Sequence, residues 1–538
     1  MHGLRRVFAA VALALVLAPL AASAPLFDPD EGLHAAIAQE MVHRADYVTP
    51  TFLGEPFLDK PILFFWAEAF SLRLFGDNET AVRLPPLLFG LAGMLAVALL
   101  GSALFGTGAG LVSGIVYGTM LLPVGVSQVA VHDIALVPFM CIAAWCLARV
   151  ATPERPPAMR TTIGLALLVG VCLGLSILTK GLAGVVFAGI FGACLAVYRR
   201  AALWRLAMAL TIAVPVAALV AAPWYIAMES AHPGYLHYYF VERHLRGYLT
   251  ATQRHAGRPF WYYVPIVLGG TLPWTLHLAG AVRYARPDPR RLVVWAWFAL
   301  GLIFLSAGES KLVTYALPVF PAAAILIGEH LQSRALDRRE RGVAAAIWIQ
   351  ALISALLPAL ALAALHARYD GVPSLLWVPI AVFAIITVDA GRRADRAADS
   401  TARIGWLAQA AISSVLAMMV LLPHAAAWMT GRDLARALNA SDALPPRVSV
   451  LDERIGSLVF YLDPALRAAA TRERLDESSF SEAIARARHD PDEAVLAVRN
   501  TQLAHFNRLF PQPPTPDARA GTFTLFRART LRETLARR

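Results

Sequence analysis

Between residue 7 and about residue 428 the chain alternates apolar runs of about 17–25 residues, the length that crosses a bilayer's hydrocarbon layer, with polar connections. Counting the runs predicts about thirteen membrane helices, near 7–26, 84–104, 107–128, 134–150, 161–179, 182–198, 205–226, 262–282, 291–308, 311–330, 342–366, 374–390 and 404–426. Beyond residue 430 the pattern changes. Arg447–Leu451, Ala494–Val498 and Phe523–Phe526 read as strands and Phe480–Arg488 as a helix, which makes a small α/β domain of about a hundred residues. The expected organisation is an all-α polytopic membrane domain over 1–428 followed by an extracytoplasmic α/β domain over 429–538. No tandem repeat of about 20–50 residues is visible.

Composition agrees with this pattern. Of 538 residues 58% are hydrophobic and only 16% charged, which excludes a soluble enzyme, a secreted disulfide scaffold and a nucleic-acid-binding domain, despite a net charge of +11. The four cysteines, Cys141, Cys146, Cys172 and Cys194, lie in or at the end of apolar runs without metal-ligand spacing and read as small core residues.

Charge distribution sets the expected sidedness. Arginines collect in every second connection: Arg5 and Arg6, Arg155 and Arg160, Arg199 to Arg205, Arg283 to Arg291, Arg334 to Arg341, and Arg392 to Arg403. Positive charge marks the cytoplasmic side of an inner membrane, so an odd number of spans puts the amino terminus inside and the carboxyl terminus outside. The first run also reads as a secretory signal, with Arg5-Arg6 before it and Ala22-Ser23-Ala24 after it; cleavage there leaves twelve spans and the same sidedness downstream.

Two outer connections, 27–83 and 227–261, are long and mix carboxylates, histidines, arginines and aromatics, unlike a passive linker. Asp28, Asp30 and Glu31 place three carboxylates within four positions. Their mutual repulsion calls for a cation, a metal or a raised pKa; Asp30 also reads as a helix N-cap, with Glu31 favoured by the helix dipole. Of 48 basic residues only Lys60, Lys180 and Lys311 are lysines, and all three fall at expected outer ends of apolar segments. They read either as snorkelling anchors or as cations for an anionic ligand such as a lipid-linked phosphate. Asp59 stands beside Lys60, ahead of Phe64-Phe65-Trp66; His132-Asp133 precedes the fourth span, where Asp133 also reads as an N-cap. The second loop carries His232, His237, His244 and His255 with Glu229, Glu242, Arg243 and Arg246. Histidines among carboxylates permit a divalent metal, with His244 and Asp59 as candidate ligands, although the spacing matches no zinc pattern and no cofactor is certain.

In order along the chain, Asp28-Pro-Asp30-Glu31-Gly, Asp59-Lys60-Pro61, Phe75-Gly76 to Arg83-Leu-Pro, His132-Asp133, Thr179-Lys180-Gly181, His255 with Pro259–Tyr263, Pro273-Trp274 and Ser310-Lys311 to Tyr315 and Pro318 resemble the bacterial branch of the protein O-mannosyltransferase superfamily. That branch includes the aminoarabinose transferases of lipid A. The resemblance covers about residues 5–330 closely and the remainder in layout. It implies a GT-C fold and an integral-membrane glycosyltransferase that uses a polyprenyl-phosphate sugar, undecaprenyl phosphate being the expected carrier, on the periplasmic face. The family's catalytic Asp-Glu element maps onto Asp30 and Glu31, with Asp28 as an extra carboxylate. Aminoarabinose transferases usually carry glutamate where Asp59 stands, an arginine where Leu33 stands, and a loop arginine one place away from Arg246, which leaves sugar and acceptor open.

The resemblance and the chemistry of the groups together imply Asp30, Glu31 and Asp133 for chemistry, Lys60, Lys180, Lys311 and Arg246 for the lipid phosphate, and Asp28, Asp59, Arg83, His255 and Tyr315 for support. Asp30 is the expected proton acceptor, and direct displacement predicts inversion. Membrane lipids, the lipid-linked donor and a lipid or glycan acceptor are the expected partners. A transporter or flippase of a lipid-linked sugar is the alternative class, but transporters concentrate ionisable residues near the bilayer midplane and show paired repeats, and here the charges gather at one surface.

Overall fold

The computed structural model describes residues 2–21, 24–151, 157–250, 257–283, 288–333, 341–369, 371–441 and 443–536. Ala22, Ser23, Arg155, Arg254, His255, Arg286, Arg334, Arg338 and Arg339 lie outside these residues.

Among the described residues nine helices are long and apolar enough to cross a membrane, and eleven if two bent pairs each count as one span. The first and sixth predicted runs correspond to helix His2–Ala21 and the shorter apolar helix Ala183–Tyr198. Two runs predicted as straight are broken. Thr107–Tyr117 and Leu121–Ser127 meet at 65°, and Phe260–Gly270 and Thr275–Val282 at 113°. A break inside a bilayer frees backbone polar groups that must find partners within the protein. The two breaks supply each other: Leu121 N donates to Leu272 O at 2.9 Å, and the buried Trp274 Nε1 donates to Thr119 Oγ1 at 2.9 Å. Hydropathy averages over both halves of a bent span and does not register the bend.

The first long connection is folded. Helix Asp30–Arg44 leads into a two-stranded ribbon, β1 (Thr51–Phe52) and β2 (Glu55–Pro56), and then into helix Leu63–Phe75, whose Phe64 and Phe65 are fully buried. The next span, Glu79–Phe105, starts with Asn78 capping Ala81 N, as asparagine's short acceptor favours.

The carboxyl-terminal segment forms a five-stranded sheet of β3 (Val448–Leu451), β4 (Leu475–Ser478), β5 (Val495–Arg499), β6 (Ala518–Ala520) and β7 (Phe523–Arg527), in the order β4-β3-β5-β7-β6. β3 runs parallel to β4 and β5, with Val448 opposite Leu475 and Val495, and β7 runs antiparallel to β5 and β6. Helix Phe480–Ala487 makes the crossover from β4 to β5; a capping box between Ser479 and Glu482 starts it. Strand β4 reads Leu-Asp-Glu-Ser, with one apolar residue, so no periodicity announces it.

Candidate active site

The site is assembled at helix ends. Asp30 is the first residue of helix Asp30–Arg44 and Asp133 the first of span Asp133–Val150; neither is the cap, since Pro29 and His132 occupy those places without side-chain capping bonds. An anion in the first turn is favoured by the unpaired N–H groups there. Lys180 is the last residue of span Met159–Lys180, which stops at Gly181 with φ +65°, a conformation that glycine adopts without strain. The second long loop contributes a wide π-type helical turn, His237–Arg246, carrying Arg243 and His244.

These ends close around a cavity of about 360 Å³. Lys60, Lys180 and Arg243 line it with Asp59, Asp133, His244 and Ser310, and Tyr239, Phe240, Tyr248, Tyr263, Phe304 and Tyr315 supply aromatic walls. Lys180 Nζ donates to Asp133 Oδ1 in a short bond and sits 4.0 Å from the centre of the Tyr315 ring. Arg243 pairs with Asp59 at 2.8 Å, and the Tyr238 hydroxyl donates to Asp59 at 2.6 Å. A cavity with a few convergent charges on a largely apolar wall fits an amphiphilic ligand whose polar group is anionic.

His34 lies one turn after Asp30, buried, with Nδ1 2.8 Å from Ala130 O. Burial lowers its pKa, and the charges of Asp30, Lys60 and Asp133 all act on it. Asp30 is itself exposed and lies outside the cavity wall. The His132 ring lies 4.5 Å from His34, and burial lowers its pKa too.

Glu31 turns away from the cavity. Its side chain is fully buried and receives Arg83 Nε at 2.8 Å and Nη2 at 2.7 Å, while Arg83 also donates to Ala24 O at 2.7 Å and Pro25 O at 3.0 Å. Phe27 N donates to Glu31 Oε2 at 3.1 Å, so the pair ties down both sides of the Asp28–Asp30 turn. Asp28 is bound by Ser457 of the sheet segment.

Two predicted phosphate cations stand elsewhere. Lys311 is buried and donates to Arg258 O at 3.2 Å, and Arg246 points outward, 61% exposed, paired with Glu242 at 2.6 Å. Arg243 occupies the place expected for Arg246. In an α-helix positions three apart share a face, but the wider π-type turn over His237–Arg246 sets Arg243 and Arg246 in different directions, and the loop's composition does not announce that turn. Also missed from sequence was Glu68, fully buried and without a hydrogen-bond partner among the described residues; burial, and then the charge of Glu31, raise its pKa well above the carboxylate range.

The candidate metal pair, His244 and Asp59, lines one cavity, and each side chain has protein partners. His244 Nδ1 lies 2.8 Å from Tyr239 O, Asp59 is taken by Tyr238 and Arg243, and among the described residues no group of three or more His, Cys, Asp and Glu side chains is placed to hold an ion. His255 lies outside the described residues.

The Lys180-Gly181 turn depends on a missing side chain. A Cβ at Gly181 would overlap His244 Nε2, at a backbone angle that already disfavours alanine. Gly181→Ala is expected to destabilise the protein by about 1–3 kcal/mol, seen as a lower thermal midpoint in detergent. An unchanged midpoint would mean that His244 gives way freely.

Residues 59–226, which carry Asp59, Lys60, Asp133 and Lys180, match the family model described as dolichyl-phosphate-mannose-protein mannosyltransferase. That segment is similar to this mannosyltransferase family. Over 354 residues it is 34% identical to a protein of Aeromonas salmonicida named undecaprenyl phosphate-alpha-4-amino-4-deoxy-L-arabinose arabinosyl transferase, a match that covers 64% of each chain and so just under two thirds of that relative. Outside the family segment the fold is the guide. The crystal structure of ArnT from Cupriavidus metallidurans bound to undecaprenyl phosphate superposes with a TM-score of 0.75 over 96% of both chains at 22% identity. The archaeal oligosaccharyltransferase AglB from Archaeoglobus fulgidus gives 0.52 at 12% identity, over 97% of this chain and 74% of its own. The matched segment therefore sits in a multi-pass membrane protein with the GT-C fold and a small sheet region at its carboxyl end.

Proposed function

We propose that the protein is an integral-membrane glycosyltransferase of the inner membrane that moves a sugar, 4-amino-4-deoxy-L-arabinose by the relatives' names, from undecaprenyl phosphate to a lipid A-type acceptor. The arginine asymmetry supports an orientation with the amino terminus in the cytoplasm, and with the site and residues 429–538 in the periplasm. The observation that carries the reading is the convergence of Lys60, Lys180 and Arg243 with Asp133 on one aromatic-walled cavity.

A glycosyl phosphate is a good donor once the charge left on its phosphate is held. Lys60, Lys180 and Arg243 supply that charge against a largely aromatic wall, where it is worth more than in open water. Asp133 and the Tyr315 ring aim the Lys180 ammonium, and Asp59 aims Arg243. The acceptor oxygen forms a bond to the anomeric carbon as the bond from that carbon to the phosphate oxygen breaks, and undecaprenyl phosphate leaves with the electron pair. Asp30 takes the acceptor's proton; for a phosphate acceptor, which needs no strong base, it orients the nucleophile. Attack from the far side inverts the anomeric carbon; the two carboxylates that could serve as a second nucleophile are both paired, Glu31 with Arg83 and Asp133 with Lys180.

The test is a mass comparison of envelope lipids from cells with and without the protein. The expected result is loss of lipid A species heavier by one aminopentose, with the product anomer, read by NMR, opposite to the donor's. Identical lipid profiles together with altered movement of the lipid-linked sugar would refute transfer.

A further inference from the structure

The sheet segment touches the acidic turn at backbone level. Asp28 accepts hydrogen bonds from Ser457 N at 3.0 Å and, in a short bond, from Ser457 Oγ, and its own N–H donates to Met429 O at 2.8 Å. A Cβ on Gly32 would overlap the Ser457 backbone, and one on Gly456 would overlap the Leu33 backbone, so the helix carrying Asp30 and helix Gly456–Phe460 meet through two glycines. Around them Leu26 N donates to the Tyr461 hydroxyl at 2.7 Å, that hydroxyl donates to Glu79 at 2.9 Å, and Gln39 Nε2 reaches Phe460 O at 3.3 Å. A domain that merely shielded the site would need neither glycine nor a hydrogen-bonded carboxylate at the contact.

We infer that Ser457 is a positioning residue for the transfer reaction: through Asp28 and the Gly32–Gly456 contact, the carboxyl-terminal domain sets where Asp30 stands. The inference rests on the proposed role of Asp30. Glu31 and Arg83 hold the turn from the membrane side, and Ser457 closes it from the other, leaving Asp30 between two anchors.

The contact is also sensitive to pH. Burial pushes the Asp28 carboxyl up to about 7, against the pull of its two Ser457 bonds and of Arg499, with Glu453 adding a little in the raising direction. Asp30 and Glu31 are the further acids on the adjoining turn, Glu31 being paired with Arg83. As a carboxylate Asp28 accepts from both Ser457 donors; protonated, it presents a hydroxyl to them and the anchor loosens. Transfer therefore falls as pH drops through the Asp28 value. Removing the Ser457 hydroxyl takes away the largest lowering influence and moves that fall to higher pH.

The experiment measures steady-state transfer from undecaprenyl phosphate-linked 4-amino-4-deoxy-L-arabinose to lipid A across pH, with the full-length protein in nanodiscs. Ser457→Ala is expected to lower kcat by about tenfold with little change in the donor KM and to shift the acid limb upward. Ser457→Thr restores both, and Asp28→Asn removes the limb. A Ser457→Ala limb that coincides with the wild type overturns the inference, whatever happens to the rate. If wild-type protein does not transfer this sugar, the functional reading fails separately, and hydrogen exchange over residues 28–36 decides the anchor. Faster exchange in Ser457→Ala, reversed by threonine, supports it, and equal exchange overturns it.

Discussion

Asparagine at position 30 is expected to reduce the turnover of sugar transfer by about a thousandfold, within the range for loss of a positioned proton acceptor. The change keeps side-chain size and removes only the charge and the basicity. Asp30 is exposed and lies outside the wall of the cavity, so binding of undecaprenyl phosphate is expected to stay within about threefold of wild type, well under 1 kcal/mol. Transfer rate and lipid binding measured on the same preparation separate the two effects. Wild-type turnover in Asp30→Asn would remove this carboxylate from the chemistry. A large loss of lipid binding would move it into the phosphate site.

The second large effect concerns the anchor. Arg83→Met is expected to cost about 3–5 kcal/mol, because it leaves the buried Glu31 carboxylate unpaired and orphans the carbonyls of Ala24 and Pro25. Glu68, whose pKa burial and the charge of Glu31 raise, is an acid and offers no cation in place of the guanidinium. The expected reading is a fall of several degrees in thermal midpoint, with faster proteolysis of the 24–34 turn. Combining Arg83→Met with Glu31→Gln is expected to recover part of the loss, since removing both partners of a buried pair costs less than removing one. An Arg83→Met protein that melts with the wild type would show that the turn is held by other contacts.

Much of the architecture was legible because its signals are local. A run of apolar residues long enough to span lipid must be helical, since lipid offers no partner for a free peptide group. Alternation in Val448–Leu451, Val495–Arg499 and Phe523–Arg527 exposed three strands of the sheet, while Leu475–Ser478 has too few apolar positions to show itself. Asp59, Lys60, Asp133 and Lys180 were recognisable because lysine is so rare in the chain and carboxylates cluster so tightly at the ends of spans. Lys311 satisfied the same criterion and is buried, while Arg246, chosen as an arginine of the second long loop, faces outward.

By itself, then, the amino-acid sequence determined the spans, the side of the bundle that carries the charges and the chemical kinds of group gathered there, since each depends on hydropathy, length or residue type over a short window. Direction and partnership were decided only by the tertiary structure. Arg243 lines the cavity while Arg246 does not because the π-type turn that carries them departs from the α-helical spacing that would put positions three apart on one face. The spans near residues 118 and 272 break because each break hydrogen-bonds the other. Asp28 finds Ser457 across 429 positions of chain because two glycines let their backbones touch, a contact no local pattern encodes.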